Sequence, residues 1–155
     1  MWLKIIICIF VIAFCTVIGY AFAGKYRSRK KFYHQFYQFN ERYLNELSYA
    51  RKPISAFLKE YEYTGDFAKT IKNYHENRNT AVAYSYLTKE ENAACTDYFS
   101  MLGKGDSLSQ KTYFSSKKSM LEEKRNDGDK QAKARGSLYL KLGLLAGLAI
   151  VILII

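Results

Sequence analysis

Residues 2–32 read WLKIIICIFVIAFCTVIGYAFAGKYRSRKKF, an apolar run followed at once by a basic segment. The run, residues 2–23, contains one charged side chain, Lys4, and at about 1.5 Å per residue it is long enough to cross a hydrocarbon core of about 30 Å. Positively charged flanks of membrane helices stay in the cytoplasm. We therefore predict a retained membrane helix followed by a cytoplasmic flank of five cations, which also attract anionic lipid: Lys25, Arg27, Arg29, Lys30 and Lys31.

A cleaved signal peptide is the alternative for this run. Ala21-Phe22-Ala23 has the small-x-small form of a signal-peptidase site. However, the apolar core of a signal peptide is usually about 7–15 residues long and lies behind a positive n-region. Here the run is longer and the cations come after it, which favours the retained helix.

A second apolar run, LYLKLGLLAGLAIVILII, covers residues 138–155. It is just long enough to span, and the Lys141 side chain can reach the interface. The basic stretch KQAKARGSLYLK (130–141) leads into it, so by the same rule this flank is also cytoplasmic. We therefore predict two membrane spans, residues 24–137 on the cytoplasmic side and both termini outside.

Two glycines in the second run, Gly143 and Gly147, have the spacing of a close helix-packing face. Such a face packs either within the molecule or between two copies. The alternative is the ordinary glycine content of a membrane helix.

The segment between the runs has helical periodicity. A single apolar stripe, spaced by three and four residues, follows the basic segment and predicts that the first helix continues to about Ala50: Phe32, Phe36, Phe39, Tyr43 and Leu47. Pro53 suits the first turn of a second helix, and Gly65 opens a third. NRNTAVAYSY (77–86) lacks a clear period and fits a loop or a short helix.

Two further helices are marked by their ends. Thr88 and Glu91 form a capping box that opens the fourth helix, and Gly103 stops it. Asp106 caps the fifth helix, in which Ser107-x-x-Gln110 repeats the pattern of the box. The fifth helix continues to residue 155 unless Gly128, in NDGD (126–129), breaks it. The predicted fold is all-α, a small helical bundle between two transmembrane helices.

The charge and the motifs limit the classes of function. The formal net charge is +10, which fits an acidic partner, anionic lipid or nucleic acid. No phosphate-binding loop is present, and neither His34 nor His75 has a partner at metal-ligand spacing. We therefore expect no enzyme activity, no cofactor and no metal. The 14 Tyr and 10 Phe lie at helical spacing, so they are expected to fill a core rather than to stack on nucleic acid bases.

Four stretches, in order along the chain, resemble one protein family. They are the first apolar run with its basic flank, LNELSYARKPI (44–54), FSMLGKGDSLSQ (99–110) and the last apolar run. The third stretch matches F-x-x-L-G-x-x-D-x-x-x-Q through five residues: Phe99, Leu102, Gly103, Asp106 and Gln110. Over nearly its whole length the chain is similar to the stage III sporulation protein AB family of endospore-forming bacteria.

This resemblance implies a specific cellular setting. The family looks like the all-helical cytoplasmic domain of the inner-membrane platform proteins of type II secretion and type IV pilus systems. It implies a place in the mother-cell membrane, in the complex that links mother cell and forespore. The implied partners are a cytoplasmic secretion-type ATPase, the stage III sporulation protein AA, and other membrane proteins of the same operon. Platform proteins carry the domain twice, which implies self-association here, through Gly143 and Gly147.

Two functional hypotheses follow. In the first, the protein is a non-enzymatic scaffold that couples the ATPase to the membrane assembly, with Asp106 as a helix cap and Gln110 as a reciprocal cap or a polar contact in the bundle. In the second, it is a basic two-span adaptor that binds anionic lipid or nucleic acid outside sporulation. The first is preferred, and on it no nucleic acid is expected as a partner.

Overall fold

The structure, a computed structural model, describes residues 2–49 and 52–154, with all of their side chains except those of residues 3–5 and 154. Five α-helices make up 85% of the described residues, none of which lies in a strand. The helices are α1 Trp2–Tyr49, α2 Ile54–Glu60, α3 Gly65–Asn77, α4 Lys89–Met101 and α5 Ser107–Ile154. The predicted all-α class is confirmed. The predicted end of the first helix, Ala50, lies outside the described residues.

The helix boundaries follow the local signals in the sequence. At the start of α4 the Glu91 N–H donates to Thr88 Oγ1 at 3.2 Å, and the Thr88 N–H donates to Glu91 Oε2 at 3.2 Å, so the capping box is formed. Residues 78–88 lie outside any helix, which makes the aperiodic segment a loop rather than a short helix. Gly128 does not interrupt α5.

The chain divides into two compact units. The bundle unit is Lys31–Asn126, and the terminal unit combines Met1–Lys30 with Asp127–Ile155. Helices α1 and α5 contribute residues to both units, whereas α2, α3 and α4 lie within the bundle unit. The boundaries at residues 23 and 138, which follow hydropathy, stay predictions of where a membrane would begin.

An aromatic core holds the bundle unit together. The stripe predicted on α1 is buried at Phe32, Phe36, Phe39 and Tyr43, while Leu47 is partly buried against the core. Edge-to-face contacts join the helices: the ring centroids of Phe36 and Tyr98 are 4.7 Å apart. Because these rings lie inside the bundle, their faces are used for packing, as expected from their spacing.

One polar side chain, Asn40, lies fully buried within this core. It accepts a hydrogen bond from the Tyr98 hydroxyl at 2.8 Å and donates to the Phe114 carbonyl oxygen at 3.3 Å. Both groups of the amide are therefore satisfied by partners on α4 and α5. Since an unpaired buried amide would cost free energy, this contact favours one register of the three helices.

Asp66 anchors the loop of residues 78–88. Its carboxylate accepts from Lys69 Nζ at 2.9 Å and from the Tyr86 hydroxyl at 3.0 Å, while its carbonyl oxygen accepts from the Tyr84 hydroxyl at 2.7 Å. The two tyrosine rings stack with centroids 5.4 Å apart. The hydrogen bond from Lys69, followed by that from Tyr86, holds the pKa of Asp66 below its ordinary value.

We predict that Asp66→Asn destabilises the full-length protein by about 1.5–3 kcal/mol at pH 7, the usual range for a lost hydrogen bond to a charged group. Because the folded-state pKa is lowered, the carboxylate contributes stability above its unfolded-state pKa, and the contribution is lost as pH falls through the folded-state pKa. The difference in stability between the variant and the wild type should therefore begin to narrow at about pH 4 and shrink further as the pH falls toward about 3.

Thermal unfolding in a neutral detergent between pH 7 and pH 3, followed by circular dichroism, measures this difference. The matched control is Asp97→Asn, which changes an exposed carboxylate on α4. An equal loss of stability in both variants, or a constant gap at all pH values, would contradict the assignment.

Candidate functional site

The two central motif stretches, 44–54 and 99–110, converge at one end of the bundle unit. There the C-terminal end of α1, the start of α2 and the turn between α4 and α5 enclose a groove of about 270 Å³. We call it the motif groove. It is lined by Tyr43, Glu46, Leu47, Lys52, Ile54, Gly103, Gly105, Ser107 and Gln110.

Three of the motif residues support the groove: two of them are buried beneath it, and the third, Gly103, lines it. Phe99 and Leu102 are buried in the aromatic core, where the Phe99 ring stacks on Phe36 with centroids 5.6 Å apart. Gly103 follows with φ +72°, a left-handed conformation that side chains disfavour. The turn that ends α4 therefore depends on a glycine at this position, as the sequence predicts.

The other two motif residues fix the start of α5. The Asp106 carboxylate accepts from the Ser109 N–H at 3.4 Å, so Asp106 lies at the N-terminal cap. Gln110 does not complete a second capping box with Ser107, in contrast to one reading of its spacing. Its amide instead accepts from the Tyr43 hydroxyl and donates to the Lys104 carbonyl oxygen at 2.9 Å, which ties α1 to the turn.

The polar groups at the floor of the groove are engaged within the fold. Burial raises the pKa of Tyr43 to about 12, so its hydroxyl stays a neutral donor to Gln110. The Glu46 carboxylate is largely buried and accepts from the Lys52 N–H at 3.0 Å. Among the described residues, no group of three or more His, Cys, Asp or Glu could hold a metal ion. The arrangement can offer shape and apolar contact to a partner.

The rim of this end of the bundle is apolar. Among the described residues of the bundle unit, three large apolar side chains are exposed: Tyr49 at 88%, Leu108 at 73% and Met101 at 39%. They lie at the end of α1, the start of α5 and the end of α4, each within two residues in sequence of a residue that lines the motif groove. Exposed apolar side chains near a groove are one feature of surfaces that bind another protein. We call these three side chains the apolar rim.

In the terminal unit the two apolar runs pack on each other through glycine. A Cβ atom at Gly19 would lie 2.6 Å from the Tyr139 carbonyl oxygen, and one at Gly143 would lie 2.8 Å from the Cys15 carbonyl oxygen. A Cβ at Gly147 would lie 3.0 Å from the Ile12 Cα. In the structure the two glycines of α5 therefore meet α1 of the same chain, the first of the two packing arrangements that the spacing left open. Self-association stays a prediction.

The basic segment after the first run contributes to this packing. Arg29, with a side chain 10% exposed, pairs with Asp127 at 2.8 Å, and Lys30 pairs with Asp129 at 3.0 Å. Asp127 also accepts from Gln131 Nε2 at 2.9 Å. These two carboxylates belong to NDGD, which the sequence marked only as a place where α5 could break. Pairing across α1 and α5 was missed, because charge complementarity between distant segments has no local pattern.

The other three cations of the basic segment lie on the surface. Lys25 and Arg27 are exposed in the terminal unit, with the Arg27 guanidinium 4.8 Å from the centroid of the Tyr20 ring. Lys31 is exposed in the bundle unit. The five cations predicted as one group therefore divide into two that pair within the chain and three that face outward.

Two helices are long and apolar enough to cross a membrane. Their most apolar stretches have a mean hydropathy of 2.6 in Ile6–Tyr49 and 2.0 in Ser107–Leu153, and little of either stretch is buried. They are candidate membrane-spanning helices by length and composition. The orientation of the chain in a membrane stays a prediction.

The family model for stage III sporulation protein AB matches residues 4–155 of the chain, essentially its whole length. The match therefore covers both apolar runs, the motif groove and the apolar rim. The chain has no significant match among curated proteins or among solved structures.

The close approach of α1 and α5 makes a prediction for Gly143→Leu. A leucine there would collide with backbone atoms of Cys15 and Gly19, and such overpacking costs about 1–3 kcal/mol. The matched control is Gly24→Leu, because a Cβ at Gly24 meets no atom within 4 Å. Thermal unfolding of the full-length variants in detergent measures the difference. Equal stability of the two variants would contradict the glycine contact.

Proposed function

Since the chain belongs to the stage III sporulation protein AB family, which gives it a role in sporulation, we propose that it is a non-enzymatic membrane scaffold of the complex between mother cell and forespore. In this proposal the bundle unit contacts a cytoplasmic secretion-type ATPase, the stage III sporulation protein AA. The terminal unit lies in the mother-cell membrane with other membrane proteins of the same operon. The protein then couples the ATPase to the membrane assembly.

The observation that carries the proposal is the apolar rim around the motif groove. Tyr49, Met101 and Leu108 are exposed to water near the motif groove, and burial of these side chains against a partner would be favourable. The neighbouring motif residues hold this end in one shape through the hydrogen bonds of Gln110. A preformed apolar surface is suited to bind a folded protein such as an ATPase domain.

The scaffold role is also supported by what the motif residues contact. Phe99 and Leu102 fill the core, Gly103 permits the turn, and Asp106 and Gln110 bind groups of the chain itself. The side chains of the motif thus maintain a surface. This use fits a protein that acts through contact with its partners.

The predicted orientation in the membrane is supported by the distribution of charge. Residues 1–30 and 127–155 carry nine Lys and Arg against two Asp and Glu, and apart from Lys4 these cations lie at or next to the inner ends of the apolar runs. Cations at that position favour the cytoplasmic side. This distribution of charge supports the proposed position of the bundle unit, in the mother-cell cytoplasm with the ATPase.

The adaptor alternative has less support. Residues 31–126 carry 15 Lys and Arg against 12 Asp and Glu, so the bundle unit itself is only weakly basic. Most of its aromatic rings pack in or against the core. Strong binding of nucleic acid needs a concentrated positive surface with accessible rings.

The double variant Met101→Asp/Leu108→Asp tests the contact with the ATPase. Both side chains are exposed, so the fold should be retained, while two carboxylates would enter the proposed interface. A hot-spot contact costs about 2 kcal/mol when it is lost, which is about a thirtyfold weaker Kd. Less ATPase should co-purify with the variant from membranes, and the yield of heat-resistant spores should fall.

The matched control is Ala93→Asp, an exposed position on α4 that does not line the motif groove. It should retain the ATPase and sporulate normally. Wild-type co-purification by the double variant at equal membrane abundance would refute the proposed interface. The same loss in the control would show that added negative charge alone is responsible.

A further inference from the structure

The positive charge of the chain is concentrated in the terminal unit. Nine Lys and Arg and two Asp and Glu in Met1–Lys30 and Asp127–Ile155 account for seven of the ten net positive charges. Both carboxylates are engaged, Asp127 with Arg29 and Asp129 with Lys30. The remaining cations near these pairs are exposed, and they outnumber the two carboxylates.

Two of these outward cations, one on each helix, lie beside the same pair of tyrosines. The Tyr26 ring stacks on the Tyr139 ring with centroids 5.8 Å apart, and the Arg135 guanidinium carbon lies 5.9 Å from the Tyr26 centroid. Lys25 is next to Tyr26 in the chain. Lys25 and Arg135 are exposed, and among the described residues neither forms an ion pair with a carboxylate.

The local potential at this point is positive. Hydrogen bonds from the Arg135 guanidinium and from the Tyr139 hydroxyl lower the pKa of Tyr26, and the charge of Lys25 acts in the same direction. The Tyr139 hydroxyl is thus used on Tyr26, while the O–H of Tyr26, the other N–H groups of Arg135 and the Lys25 ammonium stay available as donors. Such donors match the oxygens of a phosphate group.

The surroundings indicate which molecule carries that phosphate. The Tyr139 ring also stacks on Phe22, with centroids 5.8 Å apart. Phe22, Leu138 and Leu142 are about half exposed, and they belong to the apolar runs that begin directly beside the cations. A phospholipid can place its headgroup on the cations and its acyl chains along these side chains, whereas nucleic acid would leave the apolar surface in water.

We propose that Lys25 and Arg135, together with the hydroxyl of Tyr26, bind the headgroup phosphate of an anionic phospholipid, while Tyr139 orients Tyr26. The site is built by α1 and α5 together, and it leaves Arg29 and Lys30 to the ion pairs inside the unit. This inference rests on the membrane placement given under the proposed function. It adds a defined lipid site to which both helices contribute, beyond the basic segment of α1.

Lipid binding by the full-length protein in a neutral detergent tests the site. Phosphatidylglycerol, phosphatidylcholine and inorganic phosphate are titrated separately, and bound lipid is measured by native mass spectrometry. Wild-type protein should retain phosphatidylglycerol in preference to phosphatidylcholine. Lys25→Gln/Arg135→Gln should weaken the retention of phosphatidylglycerol by about fivefold for each cation removed.

The matched control is Lys59→Gln/Lys89→Gln, which removes the same charge from exposed positions in the bundle unit. It should bind phosphatidylglycerol like the wild type, and Arg135→Lys should keep most of the affinity. Unfolding temperatures without lipid confirm that each variant is folded. Equal weakening in the control, no preference over phosphatidylcholine, or displacement of the lipid by millimolar inorganic phosphate would each overturn the site.

The outcome can be separated from that of the proposed function. Co-purification of the ATPase by Lys25→Gln/Arg135→Gln should be unchanged, because the apolar rim is intact. If the wild type shows no lipid selectivity but still co-purifies the ATPase, the proposed lipid site is wrong and the proposed scaffold function stands. Extraction of the wild-type protein from cells by carbonate, without detergent, would remove the membrane placement and both proposals with it.

Discussion

The close backbone contact between the two apolar helices at Gly19 and Gly143 is the constraint on which the terminal unit depends. Apolar side chains gain little from each other in lipid, so close backbone packing is one of the few forces available there. Once the helices meet at this point, Arg29 reaches Asp127, Lys30 reaches Asp129 and the Tyr26 ring stacks on Tyr139. The glycines therefore explain why one pair of helices can present a defined charged surface.

Much of the bundle could be predicted from the sequence because its signals are local. The stripe of Phe and Tyr on α1, the capping box at Thr88 and the glycine stop at Gly103 each depend on residues within a few positions of one another. Asn40 could not be predicted in this way. Its hydrogen-bond partners, the Tyr98 hydroxyl and the Phe114 carbonyl oxygen, lie far along the chain. A single polar residue in an apolar stripe gives no indication of which groups it will bond to.

The same distinction applies to the candidate sites. The motif residues predicted a turn and a helix cap. The hydrogen bond from the Tyr43 hydroxyl to the Gln110 amide oxygen, which fixes this end of the bundle, joins two distant segments. Likewise, the spacing of Gly143 and Gly147 predicted a packing face without its partner, which is α1. Helix caps and turns could be predicted from neighbouring residues, whereas contacts between distant segments could be identified only in the folded structure. The apolar rim also became visible only when burial had separated core side chains from exposed ones.

In the proposed arrangement, a sporulation protein with two candidate membrane spans presents the apolar rim of its bundle unit to the ATPase in the mother-cell cytoplasm. The most direct measurement is cysteine accessibility in intact cells, with Ser28→Cys and Ser137→Cys made singly after replacement of the three native cysteines. Both positions should stay protected from a membrane-impermeant maleimide until lysis, with the full-length mass retained. Labelling of either position from outside would mean that the bundle is exported, which would contradict a cytoplasmic ATPase as its partner.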